Sequence, residues 1–155
     1  MKNNLEIMIP KKLQELISFL NSLPDQQDRI STLIEYSEKY KPVPKEIATE
    51  PYNLENKVEY CESGAYVWTV KKDDNKFNFY FYVENPQGVS AKALCGIFSE
   101  CLNGEPAENI FDVENDIIFK IFGQSLSMGK NLGLIGILQM IKSQVKNLLN
   151  SDGKK

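Results

Sequence analysis

No histidine occurs anywhere in the 155 residues. Its absence removes the commonest metal ligand and the side chain best suited to act as a general base near neutral pH. Cysteine is scarce and odd in number, three with no C-x-x-C pair, which argues against a disulfide framework and against a zinc knuckle. Long apolar runs are missing as well. The longest apolar stretch, around "NLGLIGILQMI", is shorter than the roughly 20 residues that span a bilayer. The opening "MKNNLEIMIPKKLQELISFL" carries a charge every few positions, unlike the apolar centre of a signal peptide. Positive charge is not in excess: the net charge is -3 and the pI is near 5.1, so the surface as a whole lacks the field that nucleic-acid phosphates require. A cytoplasmic protein with neither nucleic acid nor membrane as partner is expected.

What is present fits an ordinary globular chain, with 42% hydrophobic and 25% charged residues. The length predicts a single domain over residues 1–155, with a core from about 8 to 149 and a frayed tail at 150–155. No internal repeat occurs.

Leu13, Leu16, Ile17 and Leu20 recur at helical spacing behind Pro10, which suits a first turn. A second amphipathic helix is predicted through Ile30, Leu33 and Ile34, with Asp25 at its start and Lys39 at its end, the two forming an antiparallel hairpin. The proline-rich "KPVPKEIATEPYNLENK" reads as an extended connection. "AYVWTVKK" and "KFNFYFYVEN", joined by "KDDNK", read as a β-hairpin, and "NKVEY" as a third strand. Ser90 is expected to cap a helix carrying Leu94, Ile97, Phe98 and Cys101, stopped at Asn103-Gly104. A turn of helix after Pro106 and a helix ending at Gly123 follow. The last helix, from about Gly129, places Leu134, Leu138, Ile141, Val145 and Leu148 on one side, with Lys142 and Lys146 away from it. The fold class is therefore α+β, a small antiparallel sheet of about three strands packed against helices from both ends of the chain.

The three thiols differ in setting. Cys95 and Cys101 lie six apart on one predicted helix, roughly 9 Å along its axis, too far to bridge, and read as small core residues. Cys61 lies instead among Lys57, Glu59, Glu62, Ser63 and Gly64, and reads as a loop thiol just before a strand. Glu59 and Glu62 disfavour a thiolate there and only Lys57 favours one.

The chain resembles the SufE family of sulfur-acceptor proteins over most of residues 8 to 148. Val58, Cys61, Ser63, Val67 and Trp68 match its V-x-G-C-Q-S-x-V-W signature, and "ALCGIFSECLNG" is similar to its helix after the sheet, with Gly96 and Gly104 in register. "QSLSMGKNLGL" is similar to the Q-H-L-S-P-x-R-x-N-G-L segment, keeping Gln124, Leu126, Ser127, Gly133 and Leu134. Tyr60 stands in place of Gly and Glu62 in place of Gln, and the path from Cys61 to Trp68 is two residues longer. Ser125, Met128, Lys130 and Leu132 stand in place of His, Pro, Arg and Asn.

The resemblance implies a sulfur carrier and activator rather than an enzyme. Cys61 would accept persulfide sulfur from a SufS-like cysteine desulfurase and pass it to a SufB-containing iron–sulfur scaffold. Glu62, Ser63 and Gly64 would support the loop, Lys130 and Gln124 would contact the partner, and pyridoxal phosphate would reside on the desulfurase alone. No cofactor or metal is expected on this chain. A mobile loop would carry Cys61 outward and, at rest, turn it toward the apolar junction of sheet and helices.

Three other readings compete. One is a desulfurase-binding regulatory module with little or no sulfur carriage. A second, a thiol peroxidase or redox sensor, is disfavoured by the acidic neighbours and by the lack of a resolving thiol nearby in sequence. The third, a metal site on Glu59 and Glu62, is outweighed by ordinary solvation of two carboxylates. "NPQG" at 85–88 is turn chemistry leading into a helix rather than a phosphate loop. Exposed Lys92 and Lys130 are expected mainly to aid solubility.

Overall fold

The computed structural model describes residues 9–153. Among these described residues, six α-helices and three strands run in the order α1 (Lys11–Ser22), α2 (Gln26–Lys39), β1 (Ala65–Lys72), β2 (Lys76–Val83), α3 (Val89–Leu102), β3 (Glu105–Pro106), α4 (Ala107–Phe111), α5 (Ile117–Phe122) and α6 (Met128–Gly153). The three strands form one antiparallel sheet in the order β1-β2-β3, so the class is α+β as the sequence predicts.

The hairpin register, from Ala65 opposite Val83 to Lys72 opposite Lys76, sends alternate side chains to opposite faces. Phe77, Phe79, Phe81 and Val83 of β2 face the helices and are buried with Ala65 and Val67 of β1. Tyr66, Trp68, Tyr80 and Tyr82 take the other face. The connection from α2 crosses that face and lays Tyr52 on Tyr82, Trp68 and Tyr66, with ring centroids 4.9, 5.1 and 5.5 Å away. Asp74 and Asn75 close the hairpin at positive φ, a conformation that short polar side chains tolerate.

The third strand is not "NKVEY". That segment contributes a single bridge, Lys57 to Tyr66, because a 3₁₀ turn at Leu54–Asn56 precedes it and the chain leaves β1 after Val58. The strand comes instead from Glu105 and Pro106, turned onto β2 by Gly104 at φ 83°, whose N–H donates to the Phe77 carbonyl at 2.8 Å. Asn103 Oδ1 accepts from the Phe79 N–H at 2.7 Å, and Tyr40 Oη accepts from that of Val83 at 2.9 Å. These side chains satisfy donors on β2 that no strand covers.

Helix α3 is the centre of the core, with nine of its fourteen residues buried. The expected α1–α2 hairpin does not form as a packed pair. Both helices take α3 as their main partner, since each has one narrow apolar stripe whereas α3 is apolar on most sides. Gly96 permits the close approach of α2: a Cβ there would stand 2.5 Å from the Tyr36 carbonyl oxygen. On α2 the inward line runs through Arg29, Leu33, Tyr36 and Tyr40, so Ile30 and Ile34, expected in the core, are 37% and 45% exposed.

Arg29 is the only arginine in the chain. Its guanidinium donates to the carbonyls of Lys120 (2.9 Å), Ile121 (2.7 Å) and Leu20 (3.4 Å) and to Asn21 Oδ1 (3.3 Å). It thereby joins the carbonyl-bearing ends of α1 and α5.

Helix α6 buries Leu134, Ile137, Leu138, Ile141 and Val145. Gln144 ties it to β1, accepting from Thr69 Oγ1 at 2.7 Å and donating to the Val67 carbonyl at 2.8 Å. The tail expected to fray from residue 150 continues this helix to Gly153, held by Leu148 and Leu149 against the core. Lys142 is half-buried rather than fully turned away, and burial holds its ammonium below the ordinary lysine range. Helix α3 starts at Val89 with Gly88 as its N-cap, not at Ser90, because the Asn85–Gly88 turn places the chain in helical register one residue early. No helix among the described residues is long and apolar enough to cross a membrane.

Candidate functional site

Cys61 sits near the tip of a loop that prolongs the hairpin beyond β1. The Val58 N–H donates to the Ala65 carbonyl at 2.8 Å and closes the neck. At the tip the Gly64 N–H donates to the Cys61 carbonyl at 3.0 Å, making a turn that needs Gly64 at φ 70°. On the exit side, Glu84 N–H donates to the Gly64 carbonyl and Asn85 N–H to the Ser63 carbonyl, each at 3.0 Å. Ser63 and Gly64 are thus tied to the chain end of β2, whereas the bond from the Gly64 N–H to the Cys61 carbonyl ties residue 61 only within the loop.

Two further contacts hold the neck. Lys57 Nζ lies 3.1 Å from Glu84 Oε1 and 5.7 Å from the centroid of the Tyr66 ring. The Glu84 carboxylate occupies the space that a Cβ on Gly64 would fill. The Lys57 charge expected to favour a thiolate at Cys61 is therefore engaged with Glu84.

Beneath the loop runs the first part of α6, which meets it with glycines. A Cβ on Gly133 would stand 3.1 Å from Cys61 Cα, and one on Gly129 3.4 Å from Glu62 Oε1. One on Gly136 would stand 2.7 Å from Val58 Cγ1. Positions 129, 133 and 136 share one helix face, so the spacing lays the loop directly on the backbone of α6. The Glu62 carboxylate consequently lies at the N-terminal turn of α6, where the helix dipole favours negative charge.

A cavity of about 400 Å³ opens beside the thiol, lined by Cys61, Ser63, Gly88, Val89, Gly129 and Lys130 among others. Its far wall is the "NPQG" turn, whose Gly88 permits the approach of Ser63: a Cβ there would stand 2.7 Å from Ser63 Oγ. Asn85 Oδ1 accepts from the Gln87 N–H at 2.9 Å and Lys92 Nζ donates to the Pro86 carbonyl at 2.7 Å, which hold the turn in shape.

Of the three thiols, Cys61 is half-buried while Cys95 and Cys101 are 1% and 2% exposed. Burial is the main cause that pushes the Cys101 thiol up to about 12, with Glu100 adding to it. Burial also raises Cys95, and the nearby Cys61 adds to that rise. Burial thus keeps the Cys95 thiol protonated and hence a weak nucleophile.

The structure gathers Cys61, Glu62, Ser63 and Lys130 around the cavity, with Gly64 shaping the turn behind it. Gln124 lies elsewhere, on a surface hollow with Arg29, Phe119 and Lys120. Glu59 and Glu62 make no ion pair among the described residues, and no group of three or more His, Cys, Asp or Glu that could hold a metal occurs among them. Sequence reasoning missed the Asn85–Gly88 wall and the Lys57–Glu84 pair. The glycine spacing on α6 was the available signal for the loop's seat.

The geometry defines an α+β protein with one accessible thiol on a short loop, seated over a glycine-faced helix beside a cavity. A family model described as "SufE: Fe-S metabolism associated domain" matches residues 14–145, and the chain belongs to this family. It is similar to "SufE-like protein 1, chloroplastic/mitochondrial" of Arabidopsis thaliana, at 27% identity over 141 residues. That alignment covers 90% of this chain and 36% of the relative, so the chain spans about a third of the relative's length. A solution structure of a hypothetical protein from Thermus thermophilus superposes with a TM-score of 0.71 at 26% identity, covering 92% of this chain and 99% of that one. Family membership associates the chain with iron–sulfur metabolism.

Proposed function

We propose that the chain accepts persulfide sulfur on Cys61 from a cysteine desulfurase and passes it on for iron–sulfur cluster assembly. The observation that carries the reading is that Cys61, alone of the three thiols, reaches solvent, on a loop bordering a cavity. The Cys61 thiolate attacks the outer sulfur of the donor's cysteine persulfide. A new S–S bond forms to Cys61, the old one breaks, and the donor's cysteine leaves as thiolate, so no oxidant or reductant is consumed.

The chain's own residues position rather than activate. Ser63 and Gly64, tied to Asn85 and Glu84, fix the base of the loop. Residues 59–62 are the part that swings outward to meet a recessed donor sulfur and folds back over α6 afterwards. Lys130, on the cavity wall, supplies positive charge beside the incoming sulfur. No base is required here if the donor, a SufS-like enzyme carrying pyridoxal phosphate, delivers sulfur already activated. On this reading the protein is a cytoplasmic carrier and activator rather than an enzyme, and its free thiols suit a reducing compartment. A SufB-containing scaffold is the proposed recipient.

The test is cysteine turnover by a pyridoxal-phosphate desulfurase with and without the chain. Stimulation by the natural chain and none by Cys61→Ser supports sulfur acceptance. Equal stimulation by both would instead identify a regulatory module that binds the desulfurase without carrying sulfur.

A further inference from the structure

We propose that the open edge of β1 at Thr69 takes up a short extended segment of a partner protein, paired through its backbone and carrying a lysine or arginine for Glu46 and Glu55. Strand β1 is an outer strand of the sheet, with β2 on one side only. On its other side the Ala65 carbonyl accepts from the Val58 N–H, and the Val67 carbonyl accepts from Asn56 Nδ2 and Gln144 Nε2, each at 2.8 Å. Backbone groups alternate between the two sides of a strand, so Thr69 is the next residue to turn its N–H and C=O to this edge. Neither group has a partner among the described residues. The register set by Lys57 opposite Tyr66 would bring Leu54 opposite Thr69, but the 3₁₀ turn at Leu54–Asn56 lifts the chain away and leaves Leu54 74% exposed. An unpaired edge of this kind is a template for an added strand.

The edge opens on a hollow of about 660 Å³ that shares no lining residue with the Cys61 cavity. Ile47, Trp68, Val70 and Leu148 give the hollow apolar walls, and Glu46 and Glu55 stand exposed on it without an ion pair among the described residues. No lysine or arginine among the described residues lines it. The hollow therefore suits a segment that alternates apolar and cationic side chains while its backbone bonds to Thr69. A second copy of this chain fits less well. Pairing β1 with β1 about Thr69 would set Lys71 of one copy opposite Val67 of the other, where Asn56 and Gln144 already occupy the edge. The gap admits a short segment rather than the strand of a folded sheet.

The probe is a synthetic peptide, acetyl-Thr-Lys-Val-Arg-Val-Thr-amide, titrated into the full chain. Trp68 is the only tryptophan in the sequence and lines the hollow, so its fluorescence reports on the site directly. A saturable change in that fluorescence is expected, with protection of the Thr69 amide from hydrogen exchange. Two further peptides are N-methylated on one or the other alternate set of residues. Only the set that faces Thr69 carries the pairing, so one methylated peptide should bind at least tenfold more weakly and the other should not. The Glu46→Gln/Glu55→Gln variant should also bind the unmethylated probe at least tenfold more weakly. The absence of a saturable response, or equal affinity for the two methylated peptides, would overturn the pairing. Undiminished binding by the Glu46→Gln/Glu55→Gln variant would overturn the cationic occupant. A dimer in sedimentation that Thr69→Pro dissolves would assign the edge to a second copy and overturn the inference.

Discussion

Gly133 of α6 lies so close to Cys61 that a Cβ on the glycine would stand 3.1 Å from the cysteine's Cα. The neighbour is backbone, which cannot rotate aside as a side chain could. Gly133→Val should therefore lift the loop from its seat, at a cost of about 1–3 kcal/mol from overpacking. Faster alkylation of Cys61 by a bulky maleimide, together with a lower urea midpoint, is the expected result.

Gly64 is constrained twice, by its φ of 70° and by the Glu84 carboxylate in the space a Cβ would occupy. Gly64→Ala should destabilise the protein by about 1–2 kcal/mol. Adding Glu84→Ala should recover the steric share and leave the backbone share, so a double-mutant cycle in urea should return a favourable coupling of about 0.5 kcal/mol or more. Strict additivity would show that the two positions do not meet.

Arg29 serves four acceptors at the ends of α1 and α5. Arg29→Ala leaves partly buried carbonyls unpaired and should cost about 2–3 kcal/mol in chemical denaturation. Arg29→Lys should recover less than half of that, because an ammonium cannot address carbonyls on two helices at once as the planar fork does.

Alkaline stability follows from the buried thiols. Cys101 titrates at an ordinary 9.0 when unfolded and near 12 when folded. Between those limits the folded state binds more protons, so this group's stabilising contribution, complete below pH 9.0, is lost as pH rises toward 12. The slope is up to about 1.4 kcal/mol per pH unit for one such group. Urea unfolding at pH 8, 9.5 and 10.5 should show the decline, and Cys101→Ala should make it shallower.

The parts of this arrangement that were legible in the sequence are those written as local periodicity. Leu13, Leu16 and Leu20, the alternating phenylalanines of β2 and the α6 stripe all declared their buried faces. The third strand did not, because two residues, one of them proline, carry no strand pattern; β3 exists through Gly104 and its bond to Phe77. On α2, three apolar residues within five offered two possible faces, and the choice fell to the side bearing Arg29, Tyr36 and Tyr40, whose polar atoms find partners only in the folded chain. Cys61 stood out by its charged and small neighbours. Its cavity did not, being assembled from segments around residues 61, 88 and 130 that only the tertiary fold brings together.

The most direct test of the central claim is to locate the transferred sulfur atom. The chain is incubated with a cysteine desulfurase and cysteine labelled at sulfur, then digested without reductant and analysed by mass spectrometry. The account predicts a gain of one labelled sulfur atom, ~34 Da for sulfur-34 against ~32 Da for unlabelled sulfur, on the peptide containing Cys61. That gain should persist in Cys95→Ser and Cys101→Ser and vanish in Cys61→Ser. Labelled sulfur found on another cysteine, or retained by the Cys61→Ser protein, would contradict it.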